Sequence, residues 1–240
     1  MNGTVEESLK LIAELQHKLP QSGVEVVIAP PFTALYSASV ILQETAIKLG
    51  AQNMHWESEG AFTGEISGIF LKEVGCTFVL IGHSERRQYF GETDANINRK
   101  ILAALTQEIS PVFCIGETLE QRQSKKTESI LSNQLKAGLS GVPMGEALPI
   151  VIAYEPVWAI GSGKTPTPEE IGETQSFIRN YLAKTYDAPT ANQMRLLYGG
   201  SVSAENAKDI LHSKNVDGVL VGGASLVMDK FLKIIQSAEA

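Results

Sequence analysis

Two side chains able to move protons follow predicted strands in this sequence. Glu155 directly follows the apolar run 150–154, and His83 follows the apolar run 78–82 at the point where a helix is predicted to begin. Burying a carboxylate at the end of an apolar strand costs free energy, so its presence there suggests a functional role. Because helix N-termini carry partial positive charge, we expect the His83 imidazole to stay neutral and to donate a hydrogen bond. The pair predicts proton-transfer chemistry; the alternative is that both side chains only pack or cap helices.

The segment after Glu155 has the composition of a lid. Pro156 and Pro166 stiffen its two ends, and its middle carries an apolar stretch followed by Gly161 and Gly163. We expect such a loop to close as a unit, to exclude water with its apolar part and to leave backbone amides free near Gly161. An ordinary connecting loop is the alternative interpretation.

Paired glycines follow the last two predicted strands. Gly199-Gly200-Ser201 comes after one strand, and Gly222-Gly223 comes after the next. Glycine lets the backbone approach a ligand closely, and amides at the start of a following helix suit a phosphate group. In α/β barrels the loops after the last two strands commonly bind phosphate. The pattern therefore predicts a phosphate site, although turn geometry alone also selects glycine.

The positions of these residues are set by a regular alternation of predicted strands and helices. The clearest helix is Thr4–Leu19, which opens with the capping box Thr4 to Glu7, and Thr167 to Glu170 opens another helix in the same way. Seven short apolar runs predict strands: Val24–Ala29, Ile47–Gln52, Phe78–Ile81, Val112–Ile115, Ile150–Tyr154, Arg195–Tyr198 and Gly218–Val221. Strands that alternate with helices imply a parallel sheet with right-handed crossovers. Either an open doubly wound sheet or a closed barrel satisfies this pattern.

The first predicted helix has no strand before it. A closed (β/α)8 barrel has eight strands, whereas seven are predicted here. No linker or shift in composition divides the chain, so we expect one domain spanning residues 1–240. If the fold is the barrel, its first strand is expected to be absent from this chain.

Composition narrows the class of function. The 240 residues carry a formal net charge of −7, which argues against a nucleic-acid partner. Cys76 and Cys114 have no metal or redox spacing and suggest a reducing compartment. No apolar stretch is long enough to span a membrane and no signal peptide is evident, so we expect a cytoplasmic protein without a membrane partner.

Cofactor and metal motifs are also missing from the sequence. No glycine-rich dinucleotide fingerprint or complete Walker loop is present. The remaining histidines, at positions 17, 55 and 212, lack ligand spacing. We therefore expect neither a cofactor nor a metal site.

Taken together, the motifs resemble the triosephosphate isomerase family over essentially the whole chain. The matching segments are 60–67, 81–87, 114–118, 153–164, 198–201 and 220–225. The resemblance implies a TIM barrel enzyme of glycolysis and gluconeogenesis, an aldose–ketose isomerase that interconverts dihydroxyacetone phosphate and D-glyceraldehyde 3-phosphate through an enediolate. It needs no cofactor or metal.

Catalytic roles follow from the resemblance position by position. Glu155 would move the proton between the two carbons, and His83 would polarise the carbonyl as a neutral imidazole. Glu85 and Cys114 would support them. The lid would exclude water, because an exposed enediolate phosphate tends to eliminate phosphate.

Binding and assembly are implied in the same way. Backbone amides of Gly161, Ser201, Gly222 and Gly223 would hold the substrate phosphate. The family is typically a homodimer, and segment 52–65 resembles the loop that docks into the partner subunit.

One departure from the family pattern bears on activity. Family members begin with an apolar strand ending in Asn-x-Lys directly before the Met-Asn-Gly found here at positions 1–3. Loss of one preorganised electrostatic group typically lowers the rate by about 100- to 1,000-fold. We expect impaired turnover from the chain as it stands, either because it starts at an internal methionine or because it is a degraded paralogue. Truncation is the simpler explanation, since the other motifs are intact.

Two alternative interpretations remain compatible with the sequence. Another phosphosugar barrel, such as an epimerase, would share the phosphate loops, but it would not combine His83 with a proline-framed lid after Glu155. A fragment that only binds a partner is the non-enzymatic alternative.

Overall fold

The computed structural model describes residues 1–19, 22–143, 149–160 and 165–239. These residues form seven strands: β1 Val27–Ile28, β2 Lys48–Ala51, β3 Phe78–Ile81, β4 Ser110–Ile115, β5 Val151–Tyr154, β6 Leu196–Tyr198 and β7 Gly218–Val219. The helices are α1 Val5–Lys18, α2 Phe32–Leu42, α3 Gly68–Glu73, α4 Ser84–Tyr89, α5 Asp94–Thr106, α6 Leu119–Gln123, α7 Thr127–Gly138, α8 Pro168–Thr185, α9 Ala188–Gln193, α10 Ala207–Leu211 and α11 Met228–Ser237. Single 3-10 turns lie at Val157–Ala159 and Gly223–Leu226.

The strands form one parallel sheet in chain order, from β1 to β7. A doubly wound sheet would reverse its order at a switch point, so this sequential order identifies the barrel architecture. The sheet also curls. Arg195, just before β6, forms an ion pair with Glu25, just before β1, and α1 packs against both α2 and α11.

Side chains alternate between the two faces of the sheet. The inner face carries the small cluster Val112, Cys114, Val151 and Ala153. The outer face packs beneath the helices in a larger core that runs from Ile12 in α1 to Ile235 in α11. This alternation places every second strand residue in the barrel interior.

The sheet is open on one side. Within the described residues, β1 pairs only with β2, and β7 pairs only with β6. Helix α1 lies between α2 and α11 on that side, so the ring of helices closes where the ring of strands does not. Over the part of the chain that the structure describes, the expectation of a barrel with seven of its eight strands is confirmed.

The predicted strand limits need correction at several ends. The predicted strands 24–29 and 218–221 are paired over two residues each, because each has a neighbour on one side only. In contrast, β4 begins at Ser110, two residues earlier than predicted, because β3 and β5 pair with different parts of it. Strand β3 matches its predicted limits.

Both predicted capping boxes are present. The Thr4 amide donates to Glu7 at 2.8 Å and the Glu7 amide donates to the Thr4 hydroxyl at 3.2 Å. Thr167 and Glu170 make the same reciprocal pair at the start of α8. The second box fixes the helix that follows the lid segment.

Candidate active site

The register of the central strands brings their carboxyl ends to one edge. Ile115, Tyr154 and Tyr198 are paired across β4, β5 and β6. The next residue along each strand therefore lies at the same mouth of the barrel. Glu155 continues the ladder, because its amide donates to the Ile115 carbonyl at 2.7 Å.

His83 and Glu155 are in direct contact at this mouth. The His83 Nε2 lies 3.0 Å from the Glu155 Oε1. The other ring nitrogen, Nδ1, accepts the Glu85 amide at 3.3 Å, so the proton resides on Nε2. This contact orients the ring so that Nε2 is directed at the Glu155 carboxylate.

The corner between β3 and α4 presents His83. Gly82 has φ +77°, a left-handed conformation in which a Cβ would also come within 2.9 Å of Ile97. Arg87 braces this corner by donating to the Gly82 carbonyl at 2.9 Å and to the Cys114 carbonyl at 3.3 Å. The backbone that carries the imidazole is thus tied to the neighbouring strand.

Burial sets the proton affinity of Glu155. Its side chain is only 2% exposed, and burial raises the pKa of this carboxyl above its usual value of 4.5. The His83 ring and the Ser84 amide, which donates to Oε2 at 2.9 Å, act in the opposite direction on the pKa. A carboxylate of raised pKa is a stronger base once water is excluded.

Two glycines flank Glu155 closely. A Cβ on Gly116 would lie 1.7 Å from the Glu155 carbonyl oxygen, and one on Gly199 would lie 2.9 Å from its Cγ. Neither position has room for a side chain. These glycines allow the ends of β4 and β6 to close against Glu155 from both sides.

Glu117 organises the start of the lid segment, a role that was not predicted from the sequence. Its buried Oε1 accepts the Tyr154 hydroxyl at 3.1 Å and the Trp158 indole at 3.0 Å. The Arg122 guanidinium lies 3.4 Å from the same oxygen and 4.5 Å from the centroid of the Trp158 ring. The sequence does contain one signal for Glu117: it follows the end of β4 closely, as Glu155 follows the end of β5.

The predicted phosphate-binding residues lie after neighbouring strands at the same edge. Ser201 follows β6, and Gly222 and Gly223 follow β7, where both glycines are exposed and a Cβ would meet no atom within 4 Å. In the part of the chain that the structure describes, the amides of these three residues donate to no protein acceptor. The fourth predicted residue, Gly161, lies outside the described residues.

Glu85 and Cys114 touch the site mainly through their backbones. The Glu85 amide reaches His83, whereas its side chain is exposed. Cys114 is fully buried in the barrel interior, and burial raises the pKa of its thiol well above the usual value. A nucleophilic or redox role for this thiol is therefore disfavoured.

No group of three or more histidine, cysteine, aspartate or glutamate side chains is placed to hold a metal ion in the described chain. None of the described helices combines the length and apolar character needed to cross a membrane.

Comparison with known proteins decides the family. The triosephosphate isomerase family model matches residues 1–238. The chain belongs to the triosephosphate isomerase family. A triosephosphate isomerase of Alkaliphilus metalliredigens is 49% identical over 235 residues, covering 98% of this chain and 95% of the relative. Similar matches are the triosephosphate isomerases of Thermoanaerobacter pseudethanolicus, 48% identical with coverages of 98% and 95%, and of Geotalea uraniireducens, 47% identical with 98% and 94%.

The family match bears out the resemblance drawn from the motifs. Members of the triosephosphate isomerase family are isomerases, and the barrel described above is their architecture. The match covers the strand ends that carry His83 and Glu155 as well as the glycine pairs after β6 and β7. It therefore includes every segment of the candidate site.

Proposed function

We propose that this chain interconverts dihydroxyacetone phosphate and D-glyceraldehyde 3-phosphate. The observation that carries the proposal is the 3.0 Å contact between His83 Nε2 and Glu155 Oε1 at the mouth of the barrel. It is supported by a family match that extends over residues 1–238. Substrate and product are isomers, so the reaction consumes no oxidant, reductant or cofactor.

Glu155 and His83 divide the work of proton transfer. The Glu155 carboxylate removes a proton from C1 of the ketose, and the electron pair forms a C1–C2 double bond while negative charge moves to O2. The His83 Nε2–H donates to that oxygen and stabilises the charge. Glu155 then returns its proton to C2, the hydroxyl proton passes through His83, and the aldehyde forms at C1.

Phosphate binding is assigned to backbone amides. Three backbone amides at the mouth donate no hydrogen bond to a described protein group, those of Ser201, Gly222 and Gly223. We assign the phosphate to them, together with the amide of Gly161 in the lid segment. Hydrogen bonds from backbone amides suit a dianionic phosphate without requiring a charged side chain. This anchoring would fix the reacting carbons beside Glu155.

The lid segment is proposed to exclude water from the enediolate. Its first turn, Val157–Ala159, is a 3-10 helix held to the barrel by the Trp158–Glu117 hydrogen bond. Pro166 at the other end is buried. Anchors at both ends suit a segment that moves as a unit about short hinges.

We further propose a single domain that assembles as a homodimer in the cytoplasm. Segment 52–65 is the proposed docking loop, and its Phe62 is 43% exposed. Phe32 and Tyr36 of α2 are also exposed apolar side chains that a second copy would cover. Light scattering of the purified chain tests the dimer, and a concentration-independent monomer would contradict it.

A kinetic comparison tests the proposed reaction. Turnover of triose phosphate is measured for the chain, for Glu155→Gln and for the control Glu25→Gln at the opposite end of the barrel. We expect Glu155→Gln to lower kcat by at least about 100-fold and the control to stay within about threefold. Equal turnover by the chain and by Glu155→Gln would contradict the proposal. Failure to bind phosphoglycolate would instead favour a larger phosphosugar.

A further inference from the structure

One side chain of helix α7 holds both polar groups of a single backbone residue at the active-site mouth. The Gln134 Oε1 accepts the Gly116 amide at 2.8 Å, and the Gln134 Nε2 donates to the Gly116 carbonyl at 3.1 Å. Gly116 follows the last residue of β4, so these two bonds take the place of strand pairing where the sheet ends. The amide side chain thus acts as a two-point clamp on that residue.

Gly116 is in turn packed against the backbone of Glu155. The space for a Cβ at 116 is occupied by the Glu155 carbonyl oxygen at 1.7 Å and by its carbonyl carbon at 2.7 Å. The Glu155 amide is bonded to Ile115, the residue before Gly116. A displacement of Gly116 is therefore transmitted to Glu155, because close-packed backbones at this separation cannot move independently.

The clamp is itself rigidly mounted. Leu131 and Leu135, on either side of Gln134 along α7, are fully buried in the core. The residue after Gly116 is Glu117, which holds the first turn of the lid segment. One helix side chain is therefore coupled both to the position of the proton-transferring carboxylate and to the anchor of the lid.

We infer that Gln134 is a positioning residue that sets the placement of the Glu155 carboxylate through the Gly116 backbone. The inference rests on the proposed isomerase reaction and deepens it. Gln134 touches no reacting atom, and its effect is on geometry. A misplacement of about 1 Å at a reacting group is sufficient to lower the rate by about 100-fold.

The test replaces Gln134 by methionine, which keeps the length of the side chain and removes both hydrogen bonds. We expect Gln134→Met to lower kcat by about 10- to 100-fold and to leave KM within about threefold, since the proposed phosphate contacts come from other loops. Gln134→Glu keeps an oxygen for the Gly116 amide but, when ionised, has no donor for the carbonyl. Its kcat should lie between those of the chain and of Gln134→Met.

The matched control is Asn98→Leu. The Asn98 side-chain amide also makes two bonds to backbone carbonyls, those of Gly138 and Ser140, both at 2.8 Å. These bonds lie at the end of α7, and none involves a residue of the site. We expect this control to lose stability comparably while its kcat stays within about threefold. If Gln134→Met loses no more kcat than Asn98→Leu, the positioning role is wrong.

An activity-independent readout separates this inference from the proposed function. Amide hydrogen exchange at Gly116 and Glu155 should accelerate in Gln134→Met and stay unchanged in Asn98→Leu. Faster exchange at Gly116 with no change at Glu155 would overturn the coupling. If the chain itself turns over no triose phosphate, the proposed function fails, and the exchange at Glu155 alone decides whether Gln134 positions it.

Discussion

A single methyl group added at Gly116 should disable the site while leaving the fold intact. The Cβ of Gly116→Ala would lie 1.7 Å from the Glu155 carbonyl oxygen, whereas real Cβ contacts do not fall below 3.0 Å. The two backbones must therefore separate by about 1.3 Å, the difference between these distances. We expect kcat to fall by about 100-fold and the free energy of unfolding to fall by about 1–3 kcal/mol.

The assay combines steady-state kinetics with urea unfolding on the same preparations. Gly23→Ala is the control, since its Cβ would meet no atom within 4 Å and its backbone is not in the left-handed region. We expect the control to match the chain in both measurements. A folded Gly116→Ala that retains kcat within about threefold would refute the claim that the end of β4 fixes Glu155.

Two further predictions follow from the same geometry. Burial raises the pKa of Glu155 above 4.5, so the stabilisation from binding its proton is present below pH 4.5 and is lost as the pH rises through the folded-state pKa. Glu155→Gln should therefore unfold at higher urea than the chain at pH 7, with a gain that shrinks toward pH 4; an equal gain at both pH values would contradict this. Glu117→Leu leaves the Tyr154 hydroxyl and the Trp158 indole without their acceptor. It should lose about 1–3 kcal/mol in urea unfolding, and unchanged stability would count against the anchor.

The parts of the fold that follow from local pattern were predictable. The Thr4 and Thr167 capping boxes are read from four consecutive residues, and both formed as expected. The limits of the edge strands were not predictable, because pairing depends on the neighbour that a strand meets. Val24 and Val26 have strand character, yet only Val27 and Ile28 are assigned to the ladder with β2.

The candidate site also contains residues that could be predicted from the sequence and residues that could not. His83 and Glu155 were identified because each sits at the end of an apolar run, and the parallel sheet brings such ends together. Glu117 and Gln134 were missed, since their partners lie 41 and 18 residues away in the sequence. Glu117 had a positional signal, since it follows β4, but its partners and those of Gln134 are set by strand register and by how α7 packs on the sheet, which no local spacing encodes.

Solvent deuterium exchange tests the central claim most directly. The chain is incubated with dihydroxyacetone phosphate in D2O, and the loss of the C1 proton signal is followed by NMR, because proton transfer through a carboxyl group allows exchange with solvent. We predict exchange by the chain that is abolished in Glu155→Gln and retained in Glu25→Gln. Exchange at the same rate in Glu155→Gln, or none from the chain, would contradict the role of Glu155 in moving the carbon proton.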